Sequence, residues 1–336
     1  MDAVHLDAGE LGYLLGDLGA APPGGDGPRV LAVDVDTAPG DVLPVAPAGL
    51  HAVVVGLADD TAARPPWCDL VLGRSEHDEL GRVVETVARN PVASLVLVEL
   101  LRVSDGLDVD AGLLAESASY GTLQAGQEFA RWRGSRTGTA AGSAARPVRD
   151  DPPLLVRRDG SSLHLTLHRP ARRNALDVTL RDALVEQLHM VRSDPTIEQV
   201  LLDGSGPDFC SGGDLDEFGT AADASLAHLV RMERSVGRAL AAVASRLTVR
   251  LHGACIGSGI ELAAFAATVE AHGAVSVGLP EVAMGLIPGA GGTVSLPRRI
   301  GRHRTCRLAL SGTRLDGPTA RDWGLVDSFD PVTSSA

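Results

Sequence analysis

Two stretches, FCSGGDLDEF at residues 209–218 and CIGSGIELAAF at 255–265, do most to limit what this chain can fold into. Each follows an apolar run of strand length, IEQVLLDGSG and LTVRLHGACIG, and each leads into a segment that reads as the start of a helix. Strand, glycine-rich turn and helix in repetition indicate an α/β fold, whose sites lie at the carboxyl ends of strands. Small residues at a helix start leave backbone N–H groups unpaired and let a ligand come close to them. Two such donors converging on one point would form an oxyanion hole, which stabilises negative charge developing on a carbonyl oxygen. The glycines of the second turn also set Glu261, one turn into its helix, beside that point.

A second carboxylate follows in LPEVAMGLIPGAGGT, where Glu281 has Pro280 in front and the tight PGAGG turn (288–292) behind. Facing one pocket, Glu261 and Glu281 would form a pair able to activate water and to move a proton at carbon. Singly, each has an ordinary alternative: Glu261 as an acid stabilising a helix N-terminus, Glu281 as a solvated loop residue. Only together, and with the matched turns, do they point to chemistry. Ser258 does not satisfy G-x-S-x-G, because Ile256 and Ile260 hold the outer positions, and it reads as a turn residue. His252, Cys210 and Cys255 read as core residues without a role. GSGIEL lacks the last glycine of a dinucleotide fingerprint, and neither a P-loop nor H-E-x-x-H occurs.

Composition narrows the partners. A net charge of −13 argues against nucleic acid or an anionic membrane surface. All 30 basic residues are arginine, so Schiff-base chemistry on lysine is absent and guanidinium is the only fixed cation for phosphate. The 4 cysteines, Cys68, Cys210, Cys255 and Cys306, are spaced too irregularly for a disulfide framework or a zinc site, so no metal is expected. VASLVLVELL is too short to span a bilayer, and the opening MDAVHLDAGELG is acidic where a signal peptide is basic, which together imply a cytoplasmic protein.

The small, aperiodic stretch 134–153 has the composition of a flexible linker and divides the chain into an N-terminal region, 1–133, and a core, 154–336. Before it, residues 1–29 read as loose, RVLAVDVD and HAVVVGL as buried strands, and 78–102 as an amphipathic helix or two broken near Pro91. After it, LLVRRDGSSLHLTLHRP alternates like a hairpin turning at Asp159-Gly160, and a helix starts near Asp177.

Residues 154–329 resemble the crotonase, or enoyl-CoA hydratase/isomerase, superfamily. RRNALD, FCSGGDL, HGACIGSGIEL, PEVAMGLIPGAGGT and LSGTRLDGPTARDWGLVD occur in that family's order and spacing, and the five together are specific where each alone is weak. The resemblance implies a crotonase-like spiral of ββα units, assembly as a homotrimer or hexamer, and an acyl-CoA thioester as substrate, with coenzyme A entering only as part of it. Carried over by residue, it makes the N–H groups of Gly213 and Ser258 the oxyanion donors. It makes Glu261 the group that helps deprotonate the attacking water, and Glu281 the one that exchanges a proton at the α-carbon. Arg172, Arg173 and Ala175 match the segment lying along the CoA nucleotide; their ordinary alternative is a solvated charge pair beside a turn. Having both acids favours hydration of a 2-enoyl-CoA. The other readings are a double-bond isomerase, an acyl-CoA hydrolase, a cofactor-free oxygenase, or a non-catalytic acyl-CoA-binding scaffold.

The resemblance also implies helices after WGLVD that cover the acyl pocket, whereas this chain runs ten residues past Val326. CDLVLGRSEHDELGRVVETVARNPVASLVLVELLR with DAGLLAESASYGTLQAGQEFARW resembles that tail. The expectation is a rearranged crotonase whose helices precede the core, as an α/β-helical segment; the alternative is an unrelated accessory domain.

Overall fold

The computed structural model describes residues 4–6, 30–37, 50–62, 64–137, 151–221 and 223–331. Four short strands, β1 (Val4–Leu6), β2 (Val30–Asp34), β3 (Val53–Ala58) and β4 (Leu70–Gly73), pair in parallel in that order. β2 and β3 are apolar without alternation because both of their faces are buried. Residues 7–29, most of the stretch read as loose, lie outside the described residues, while Val4–Leu6 extends the sheet at β2.

The break at Pro91 separates α1 (His77–Arg89) from α2 (Pro91–Ser104), since proline fits the first helical turn, where its missing N–H needs no partner. α3 (Val109–Gln124) starts at Asp108, whose side chain accepts the Ala111 N–H at 2.8 Å. α4 (Gln127–Thr137) runs into the segment read as linker. The reason is visible in its side chains: the Arg136 guanidinium sits 5.2 Å over the Trp132 ring and Arg133 lies 6.0 Å over Phe129, i to i+4 contacts that extend the helix. Residues 138–150, the rest of that segment, lie outside the described residues.

The core begins with the expected hairpin, β5 (Leu154–Asp159) and β6 (Ser162–Leu167), whose Leu163, Leu165 and Leu167 point inward. α5 (Val178–Ser193) is capped by Asp177, which accepts the Leu180 N–H at 2.9 Å. Then follow β7 (Gln199–Gly204), α6 (Ala224–Glu233), α7 (Val236–Ala241), β8 (Leu247–Ile256), α8 (Ser258–Ala263) and β9 (Thr268–Gly278). α9 (Gly292–Ile300), α10 (Arg302–Ser311), α11 (Gly317–Asp322) and β10 (Ser328–Asp330) complete it. The sheet order is β10-β9-β8-β7-β6-β5, parallel except at the hairpin, so the ends of β7 and β8 open on one side.

One apolar cluster is continuous from Val55 and Leu72 through Val83, Leu97 and Leu113 to Val294 and Leu308. Polar ties cross the same boundary. Arg307 on α10 binds Glu79 at 2.7 Å and Glu76 at 2.7 Å, and the buried Arg302 donates to Cys68 O at 2.9 Å. No helix among the described residues is long and apolar enough to cross a membrane.

Candidate active site

Both glycine-rich turns are fastened to the end of β8. The Cys210 N–H donates to Ala254 O at 3.1 Å, and the Ile256 N–H donates to Cys210 O at 3.0 Å, which pins the first turn. The second begins at Gly257, whose N–H donates to Gly278 O on β9 at 2.9 Å. Gly257 has φ +51° and Gly212 φ +104°. A Cβ on Gly257 would strike the Glu281 carboxylate and stand 3.8 Å from the Gly212 Cα, so only glycine fits where the turns meet. Among the described residues the N–H groups of Gly213 and Ser258 meet no protein acceptor. The Ser258 hydroxyl is buried, 4.0 Å from the Cys210 sulfur.

One expectation needs correction. α8 does begin at Ser258, but residues 215–219 after Gly213 form a turn, and the next helix waits until Ala224. Asp214 is drawn inward to the guanidinium of the buried Arg169, at 3.1 Å, and to Arg172, at 2.8 Å, while the Glu217 N–H closes back on Asp214 O. The chain therefore folds over instead of running on as a helix. The Gly213 N–H has no helix dipole behind it.

The carboxylates are the electrostatic centre. Glu261 is 2% exposed, and one of its oxygens accepts the Ala290 N–H at 2.8 Å and the Gly292 N–H at 2.9 Å. Burial, and then the charges of Glu281 and Glu116, push its pKa well above the ordinary carboxylate range. Glu281 opens the 3-10 turn Glu281–Met284, is 8% exposed, and has an Oε2 with no hydrogen-bond partner. Its pKa is raised by burial to about 7, against the pull of the nearby Arg314 cation. Two buried acids that repel each other titrate as a pair.

A third acid was not singled out in the sequence. Glu116, on α3, is 2% exposed and accepts the Gly291 N–H at 2.7 Å, the Thr293 N–H at 2.9 Å and the Thr293 hydroxyl at 2.7 Å. Burial raises its pKa to about 7, opposed by those same hydrogen bonds. Glu261 holds the N–H groups of Ala290 and Gly292, and Glu116 holds those of Gly291 and Thr293, so the two acids grip four successive amides alternately from opposite sides. These amides open α9, where a helix N-terminus favours negative charge.

The arginines matched to the CoA segment are already engaged. Arg172 binds Asp214 and also Asp216 at 2.5 Å, and Arg173 binds Asp208 at 2.6 Å; their side chains are 44% and 61% exposed. Ala175 is buried, and its carbonyl accepts a hydrogen bond from Arg169, which also pairs with Asp177 at 2.7 Å. Leu176 bridges directly to Gly213, which brings this segment to the first turn. A cavity of about 100 Å³ lies between Leu176, α3, α6 and the 289–291 turn, with Glu116 and Ala290 in its wall.

The sequence profile of the family described as enoyl-CoA hydratase/isomerase matches residues 157–334, more than half of the chain. The chain belongs to this family. It is 35% identical over 179 residues to the 2,3-dehydroadipyl-CoA hydratase of Escherichia coli, covering 53% of this chain and 69% of that protein. It is also 35% identical over 178 residues to the 1,2-epoxyphenylacetyl-CoA isomerase of the same organism, covering 52% and 68%. Among solved structures, the enoyl-CoA hydratase of Thermoplasma volcanium superposes with a TM-score of 0.50 at 27% identity, over 54% of this chain and 73% of that one. The crotonase fold and an acyl-CoA enzyme follow from membership. In this member Glu116 comes from a helix upstream of the matched region.

Glu116 was nevertheless within reach of sequence reasoning. Leu113, Glu116, Ser117 and Tyr120 share the buried face of α3 at helical spacing, and an acid on an apolar face is the signal that marks it.

Proposed function

We propose that this family member adds water across the double bond of a 2-enoyl-CoA thioester. The observation that carries the reading is the buried pair Glu261 and Glu281, the second with an oxygen free of partners, beside the unpaired N–H groups of Gly213 and Ser258. As water bonds to the β-carbon, Glu261 accepts its proton. The double-bond electrons pass to the thioester oxygen, where the two N–H groups stabilise the charge, and Glu281 then delivers a proton to the α-carbon. Repulsion within the pair favours one proton between the two acids; the step requires that proton on Glu281, and the two backbone N–H bonds to Glu261 favour its ionised form. Proton exchange with solvent or between the acids resets them.

The reaction calls on no metal or redox group, and coenzyme A enters as part of the substrate. An isomerase needs one acid at this place, so the presence of both favours hydration. For a CoA phosphate to use Arg172 or Arg173, it must compete with Asp214, Asp216 and Asp208. Assembly as a homotrimer or hexamer is part of the same reading. So is the covering of the acyl face by α1–α4, supported by the position of Glu116.

The test is crotonyl-CoA hydration. Glu261→Gln and Glu281→Gln should each lose at least ~10²-fold in turnover while CoA affinity changes little. Near-normal hydration by either variant would sink the two-acid mechanism.

A further inference from the structure

The cavity beside Glu261 has a wall whose chemistry the hydration step does not use. Its inner side is formed by Glu116, Ala290 and Leu176; the Ala290 N–H binds Glu261, and Leu176 bridges to Gly213. On the side of α5 and α6 it is lined by three arginines, Arg181, Arg231 and Arg234. Arg181 is neutralised by Asp182 at 2.9 Å. The other two form no ion pair within 4.0 Å among the described residues.

Arg231 is the more constrained of the two. Its guanidinium donates to Ser117 Oγ at 3.1 Å, Gln124 Oε1 at 3.0 Å and Ser117 O at 3.2 Å, and lies 5.0 Å over the Tyr120 ring. All three acceptors are neutral. Of the five N–H donors on a guanidinium, two are left over. Glu116, whose oxygens bind Gly291 and Thr293, forms no ion pair with it within 4.0 Å and attracts it only across a gap. Burial acts against this cation, pulling its pKa down. Arg234 has no side-chain hydrogen bond among the described residues. Two half-buried guanidinium groups without a carboxylate in contact, in a chain of net charge −13, are unusual, since desolvated charges are normally paired.

We infer that the acyl pocket takes a chain ending in a carboxylate, a dicarboxylic acyl-CoA, with Arg231 and Arg234 holding the distal anion. A planar carboxylate matches the guanidinium fork, and its charge supplies the pairing that the protein leaves out. A neutral acyl chain of equal length would instead place a methyl group against two cations. This inference rests on the acyl-CoA reading of the site, but it does not require hydration to occur.

Binding of saturated, unreactive thioesters separates the two. Adipyl-CoA and hexanoyl-CoA have the same carbon count and differ at the far end, a carboxylate against a methyl; their dissociation constants are measured by calorimetry on the full chain. Adipyl-CoA should bind at least ~10-fold more tightly, as for one charge-assisted contact. Arg231→Met should bring the ratio close to one, with hexanoyl-CoA affinity in the same variant serving as the check on folding. Arg234→Met, which breaks no hydrogen bond, should narrow the ratio as well. Equal affinities in the parent protein overturn the inference. So does a ratio that survives both substitutions, or an equal loss for both ligands, which would assign the arginines to the CoA moiety. Crotonyl-CoA turnover is scored separately and bears on the hydration reading alone.

Discussion

Replacing Glu116 by glutamine isolates the energetics of the grip on residues 290–293. Glutamine keeps the shape but offers one acceptor oxygen, so an NH2 group faces one of the two backbone donors, Gly291 or Thr293. A buried donor left without an acceptor costs about 1–3 kcal/mol at any pH. A second contribution depends on pH and has the opposite sign. The carboxyl is raised from 4.5 to about 7 in the folded protein, so the folded state binds the proton more tightly than the unfolded one. Its contribution is intact below pH 4.5 and is lost as pH rises through 7. Integrated from pH 5 to pH 9, the loss from this group is on the order of 2–3 kcal/mol in the parent protein and zero in Glu116→Gln. The variant should thus be less stable at pH 5 and roughly equal or more stable at pH 9. Urea unfolding of both proteins at pH 5, 7 and 9 measures this; groups that do not feel Glu116 cancel in the difference, while Glu261 and Glu281, relieved of its charge, shift it in the same direction. A stability gap constant to within about 0.5 kcal/mol across that range would refute the reasoning, because the buried acid would then not be titrating in the folded state.

Two further outcomes are expected. Gly213→Pro removes the unpaired N–H and should lower turnover on the order of 10²-fold or more with circular dichroism unchanged; retained activity would exclude this position as an oxyanion donor. Deleting residues 1–150 strips Gly291 and Thr293 of their acceptor and bares the apolar face covered by α2 and α3, so the core alone should aggregate or be inactive, and residues 60–136 added as a separate chain should restore some solubility and activity. A soluble, fully active truncation would mean that the N-terminal region is an accessory.

What could be read from the sequence was local. The hairpin at Gly160, the break at Pro91 and the cap at Asp177 depend on a few neighbouring residues, and each stands where the pattern put it. Glu261 and Glu281 were legible because glycine and proline around them announced turns. The segment after Gly213 was misread because DLDEF has no local reason to avoid a helix; the reason is the buried Arg169, which lies far off in sequence. The pairing of Arg172 with Asp214, and of Arg173 with Asp208, was hidden in the same way. Glu116 was the largest omission, since its partners are supplied by a turn whose nearness no local pattern encodes.

Glu116 and Gly291 are 175 residues apart, and that separation fixes an order of assembly. On the ribosome α3 emerges with an acid that has no acceptor-seeking amides to receive, and it waits through the synthesis of the whole hairpin and most of the sheet. Until those amides appear, burying the acid on a partly made core would leave its charge without these partners and would cost free energy. Completion of the 290–293 turn is therefore a late event in synthesis, and a chain released before residue 293 would lack this fastening between α3 and the core.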